Sequence, residues 1–375
     1  MKTKTPLSIY IHIPFCLTKC LYCDFLSFDG SEDVYEPYVD ALCRHIFTSA
    51  ATFANYEVVT VFFGGGTPTI LSTAQLCRIL DVVCSNYSMS NSVTISTEAN
   101  PETVNAVYLA DLRNAGFNRI SFGVQSFNDK HLAAIGRLHS AKKAAEAVRQ
   151  AHQAGFDDIN LDLIFALPYQ AVYDFEKSLD TAVKLPITHI SCYALTPEEG
   201  TPLAHRNDLL DAICGEETDR AMYHLAAKKL AAAGFNHYEI SNWAKDGFSC
   251  HHNIGYWTGR EYMGFGLGAH SFVNNSRFCN TSNLTQYIGG HFAANNIEKI
   301  DKSEAMTEFI ILGLRLTKGI SPAKFAALFN ENLHGKYAEK LDKLHNQGLI
   351  EINSGNIRLT KKGLDLSNTV FTEFI

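Results

Sequence analysis

The stretch that decides the fold is LSIYIHIPFCLTKCLYC, residues 7–23. Its first seven residues alternate apolar side chains with Ser8, Tyr10 and His12, the period-two pattern of a β-strand. Pro14 ends the run, and three cysteines follow in the spacing Cys16-x3-Cys20-x2-Cys23. A strand that delivers clustered thiols into the loop at its end opens a βα unit with its chemistry at the C-terminal edge.

Working outward, the same alternation recurs. Val58–Phe63 reads as a strand ending in Gly64-Gly65-Gly66-Thr67-Pro68, and Ser92–Glu98, Asn118–Gly123, Asp158–Ile164 and His189–Leu195 read as four more. Helical spacing fills the gaps at Val34–Phe53, Thr73–Tyr87, Thr103–Ala115, Ala141–Ala154 and Tyr173–Lys184. Six strands alternating with helices predict a parallel α/β fold: a barrel, a partial barrel or a doubly wound sheet. Glu98, Gln125 and Asp162 fall near the C-terminal ends of their strands, beside the cysteines and the glycine triplet.

The pattern changes after the alanine-rich helix Glu216–Ala233. Residues 236–300 are rich in Gly, Asn, His and aromatics, and from about residue 301 helices return. A hairpin, Leu349–Ile352 and Asn356–Thr360 around Ser354-Gly355, and the closing run Lys361–Asn368 give this end the look of a winged-helix unit. Three units are expected: 1–235, 236–300 and 301–375.

The chain has 375 residues, 46% apolar and 19% charged, with a net charge of −7. It can bury a large core, which excludes disorder, and its acidic balance argues against a dedicated nucleic-acid binder. The last domain carries eight Lys+Arg against six Asp+Glu from residue 316 onward, too weak a surplus for a nucleic-acid reader. No apolar run reaches the roughly 18 residues of a membrane span, and the N-terminal run reads as a strand and not as a signal peptide. A cytoplasmic chain is expected, where thiols stay reduced and clustered cysteines suggest metal. The other seven cysteines are dispersed and read as small buried residues.

A closed zinc site wants four ligands, and only three are local. Three thiolates suit a cubane iron–sulfur cluster with one iron open, although four cysteines are the usual rule. Spacing alone leaves zinc and chance clustering open.

The motifs Ile11-to-Cys23, Gly64-to-Pro68, Thr97-to-Pro101, Gly123-to-Phe127, Gly136-Arg137 and Asn160-to-Asp162 stand in order. Together they resemble the radical-SAM family of the oxygen-independent coproporphyrinogen III oxidase HemN and its relative HemW, nearly end to end. The resemblance implies a partial (β/α)6 TIM-like barrel with a C-terminal α+β extension ending in the winged-helix-like domain. It implies a [4Fe-4S] cluster on Cys16, Cys20 and Cys23. It also implies S-adenosylmethionine held by Tyr10, Tyr22, Gly65, Gly66, Thr67, Glu98, Gln125, Arg137 and Asp162. The residue types fit: glycine lets backbone approach a ligand, carboxylates accept from hydroxyl or amine groups, and arginine grips a carboxylate.

Two departures from the oxidase pattern matter. Phe25 stands where the oxidase has a fourth cysteine, and the first strand starts near residue 7, leaving no room for a long substrate-holding arm. His252-Asn253-x-x-Tyr256-Trp257, read as part of a loop, matches the HNxxYW motif of the HemW side. Histidine is a common haem ligand, and Tyr256 and Trp257 could stack on a porphyrin. His251 and His270 are the reserve ligands. The resemblance implies a haem chaperone that passes haem to membrane-bound respiratory haem proteins, with room for a homodimer and for peripheral membrane contact. The alternative is a radical-SAM oxidase acting on coproporphyrinogen III or another tetrapyrrole.

Overall fold

A computed structural model describes residues 4–30, 32–353 and 355–375. Six parallel strands form its centre: β1 Thr5–Ile13, β2 Tyr56–Gly65, β3 Met89–Ala99, β4 Arg119–Gln125, β5 Asp158–Phe165 and β6 His189–Ala194. They lie side by side in chain order, joined by helical crossovers, a connection that is right-handed as a rule. The helices Glu32–Ser49, Thr73–Asn86, Ala106–Asn114, Ala141–Gln153 and Val172–Ala182 connect them.

The alternation in β1 sets its two faces. Leu7, Ile9, Ile11 and Ile13 are fully buried, in one core with Tyr38 and Leu42 of the first helix. Ser8, Tyr10 and His12 therefore take the opposite, concave face, because successive strand side chains point to opposite sides.

The barrel is not closed, and residues 236–300 explain why. β7 Asn236–Glu239 and β8 Asn242–Ala244 continue the sheet antiparallel beyond β6. β9 Tyr262–Phe265 pairs in parallel with the free edge of β1, Ser8 opposite Tyr262. β10 His270–Val273, β11 Ser276–Cys279 and β12 Asn295–Lys299 extend that side. The result is a twelve-stranded sheet whose six central strands are a partial (β/α)6 barrel. Met263, Phe265 and Tyr287 pack into the same core as the parallel strands.

A second core, from Met306 to Phe374, belongs to the C-terminal helices Lys302–Gly313, Pro322–Phe329 and Leu333–Asn346 and the hairpin Ile350–Asn353 with Asn356–Leu359. Ile320 bridges to Ile357 beside the hairpin, giving the three-helix-plus-wing arrangement. Ser354, at the expected turn, lies outside the described residues.

Two expectations are corrected. The HNxxYW stretch, read as loop, is a short helix, His251–Trp257. Its Gly255 masks helical periodicity but is buried against Arg260 and Ser8, where a Cβ would meet the guanidinium at 3.1 Å. Of the seven dispersed cysteines only Cys192 and Cys250 are buried, and Cys84 is exposed.

Candidate active-site cavity

A cavity of about 520 Å³ occupies the concave face of the sheet. Cys16, Cys20, Tyr22 and Cys23 line its mouth. Tyr10, Gly65, Gly66, Thr67, Glu98, Gln125, Arg137 and Asp162 line its walls. Every residue singled out for the cluster and for S-adenosylmethionine thus faces one space.

The cysteine loop is anchored at several points. His12 Nε2 lies 2.8 Å from the Leu26 carbonyl, so this nitrogen carries the proton and Nδ1 accepts from Tyr10 Oη at 3.0 Å. The amides of Gly66 and Thr67 donate to the carbonyls of Ile13 and Phe15 at 2.8 and 2.7 Å. A Cβ on Gly66 would stand 2.6 Å from the Phe15 carbonyl and 3.0 Å from Cys16 Sγ; on Gly65, at φ +113°, it would meet the His12 ring at 2.6 Å. Gly66 is therefore needed by the cysteine loop itself and Gly65 by the histidine that anchors it, apart from any ligand.

Among the described residues no cluster of His, Cys, Asp or Glu is close enough to clasp a single metal ion. A cubane carries its ligands on separate iron corners, so its thiols stand farther apart than the ligands of one ion. Thr67 Oγ1 donates to Cys16 Sγ at 3.7 Å and Arg137 Nη1 to Cys20 Sγ at 3.4 Å, so donors to sulfur are already in place. Burial pushes the Cys16 and Cys23 thiols up. The set fits an iron–sulfur cluster.

The walls are polar and charged. Glu98 lines the cavity, and burial there raises its pKa to about 8; Asp162 adds repulsion and the Gly65 amide, 3.3 Å away, opposes it. Asp162 is also raised by burial, against hydrogen bonds from Asn160 at 2.8 Å and Ser121 at 3.2 Å. Arg137 donates to the Gly123 carbonyl, while its Nε is buried without an acceptor among the described residues. Gln125 sits at φ 66°, in the left-handed region, at a register shift against β5. Such a conformation costs about 1–3 kcal/mol in a residue with a side chain and marks functional positions.

The HNxxYW helix forms the inner wall. His252 is buried, stacked on Phe62 at 5.0 Å, with Nδ1 2.8 Å from Thr60 Oγ1 and Nε2 3.0 Å from Tyr256 Oη. Both ring nitrogens are engaged, and burial lowers its pKa to about 3. In this conformation it offers no free nitrogen to iron. Asn253 and Tyr256 also line the cavity; Trp257 does not, lining a second cavity instead. His251 and His270 are exposed and lie outside both.

Arg119, His189 and Tyr193 also line the cavity and were not anticipated. Arg119 and His189 begin their strands, whereas sequence reasoning looked at strand C-terminal ends. No local pattern marks them.

The radical SAM superfamily profile matches residues 10–182 and the HemN C-terminal domain profile residues 300–366. Among curated relatives, Heme chaperone HemW of Bacillus subtilis is 36% identical over 98% of this chain and 99% of its own length. Heme chaperone HemW of Escherichia coli is 33% identical over 99% and 98%. The solved coproporphyrinogen III oxidase HemN of Escherichia coli superposes with a TM-score of 0.87 at 23% identity, covering 99% of this chain and 90% of that one. That likeness speaks for the shared fold. With its cysteine rim, its polar cavity and these full-length relatives, the chain belongs to the radical-SAM HemN/HemW family, on the HemW side.

Proposed function

We propose that the chain is a haem chaperone, which binds haem and delivers it to membrane-bound haem proteins while carrying a [4Fe-4S] cluster and S-adenosylmethionine. The observation that carries this reading is the end-to-end likeness to proteins named Heme chaperone HemW. Phe25 in place of the oxidase's fourth cysteine agrees with it.

In this reading Cys16, Cys20 and Cys23 hold the cluster, and Thr67 and Arg137 tune two of the sulfurs through N–H and O–H donors. Tyr10, Tyr22, Gly65, Gly66, Thr67, Glu98, Gln125, Arg137 and Asp162 bind and orient S-adenosylmethionine. When bound, the pair supplies a reducible iron beside a sulfonium. His252 reaches haem iron only after leaving Thr60 or Tyr256; His251 and His270 need no such release. No helix among the described residues is long and apolar enough to cross a membrane. In this reading the carrier is cytoplasmic and meets its recipients at the membrane surface, alone or as a homodimer.

The completeness of the cavity supports a second reading, a radical-SAM oxidase acting on coproporphyrinogen III or another tetrapyrrole. One paired experiment separates them. The protein is purified anaerobically with its cluster, haem is titrated by absorbance, and coproporphyrinogen consumption is followed with S-adenosylmethionine and a reductant. Haem binding without consumption supports the carrier; consumption without haem binding overturns it.

A further inference from the structure

The helix His251–Trp257 is a wall shared by two cavities. His252 and Tyr256 face the first, and Trp257 faces a second of about 690 Å³ between this helix, Phe272 on β10 and the C-terminal helices. Phe309, Leu312, Leu328 and Phe329 supply the facing wall. A volume of this size is that of a small-molecule site and exceeds that of the cysteine-lined cavity.

Its charges are arranged unequally. Glu308 is held by Arg277 through two bonds of 2.9 and 3.1 Å, and Lys302 by Glu331 at 3.0 Å. Asp301 caps the helix behind it, and Glu261 accepts the Asn274 amide. Lys318 and Lys324, both exposed at the rim, have no ion-pair partner among the described residues. Trp257 Nε1 is buried with no acceptor among the described residues, and Arg315 covers the indole at 4.3 Å. Leu328 stands 58% exposed, a large apolar side chain left open at the cavity. No histidine, cysteine, methionine or tyrosine lines the space.

An aromatic slot with two uncommitted ammonium groups matches a flat apolar ring bearing carboxylates. We propose that this second cavity receives the macrocycle of a tetrapyrrole, stacked on Trp257 and Phe309 with its carboxylates toward Lys318 and Lys324, and with no metal ligand from the cavity walls. The proposal rests on the haem-carrier reading and adds to it where the ring lies. Any iron ligand then comes from outside the cavity, and the ring is held without one.

The test uses the full cluster-loaded chain with two probes: metal-free protoporphyrin IX, followed by fluorescence, and haem, followed by absorbance. Leu328→Glu and the pair Lys318→Glu with Lys324→Glu change exposed side chains, so the fold is retained. Binding of the metal-free ring within about tenfold of haem, weakened tenfold or more by both variants, supports the site. Haem binding unchanged by both variants, or absent binding of the metal-free ring, overturns it and leaves the carrier reading intact. Failure of the wild-type chain to bind either probe overturns both.

Discussion

Thr60 on β2 holds the Nδ1 atom of His252 at 2.8 Å, tying the HNxxYW helix to the middle of the parallel sheet. Thr60 is buried, so removing its hydroxyl leaves a ring nitrogen without a partner. Thr60→Val should cost about 1–3 kcal/mol, read as a lower Tm. Thr60→Ser, which keeps the hydroxyl, should recover most of it. A loss in Thr60→Ser with none in Thr60→Val would show that packing of the methyl, and not the hydrogen bond, matters.

Stability should form a dome against pH. Burial lowers His252 to about 3 and His45 and His139 to about 4, so the unfolded chain takes up their protons first as pH falls below about 6.5. Each histidine then withdraws up to about 2 kcal/mol at pH 5. Glu98 works in reverse: with its pKa near 8, the folded chain holds the extra proton, and stability falls as pH rises from about 4.5 towards 8. Glu98→Gln should flatten the alkaline limb and leave the acid limb in place, checked by urea titrations at a series of pH values. An alkaline limb that persists in the variant would assign it to another group.

Gly66→Ala should lose cluster before it loses fold. The added methyl presses on the Phe15 carbonyl and Cys16 Sγ, an overpacking of about 1–3 kcal/mol focused on one proposed iron ligand. Iron and sulfide per chain should drop several-fold, as in Cys20→Ser, with little change in far-ultraviolet circular dichroism. Full iron and sulfide content in Cys20→Ser would remove that residue from the ligand set.

Phe25→Cys restores the oxidase-like fourth cysteine at an exposed position beside the cavity. Stability should change by no more than about 0.5 kcal/mol. Iron per chain should stay the same, and coproporphyrinogen should not be consumed. Consumption by this variant alone would make Phe25 the residue that separates the two activities.

The parallel centre of the fold was legible because one face of those strands packs into the core, so apolar residues recur along them and their boundaries stand out. Asp158–Ile164 and His189–Leu195 match β5 and β6 to within a residue at each end. The edges were not legible. β7 to β12 are four or five residues long at most, too short for periodicity to declare itself. The residues proposed for the cluster and for S-adenosylmethionine were readable as motifs, and all of them line one cavity. What sequence could not show is the division of HNxxYW between two cavities. That depends on helix phase: His252 and Tyr256 are four apart and share a face, while Trp257, one residue on, turns about 100° away.

The placement of β9 also bears on how the molecule is made. The strand that leads to the three cysteines has one neighbour early in the chain, β2, and another, β9, that emerges only after residue 260. During synthesis the thiols leave the ribosome first, yet their strand stays an open sheet edge until most of the polypeptide exists. Such an edge offers unpaired amides and carbonyls to any passing chain. Protection of that edge thus has a deadline, the arrival of Tyr262 beside Ser8.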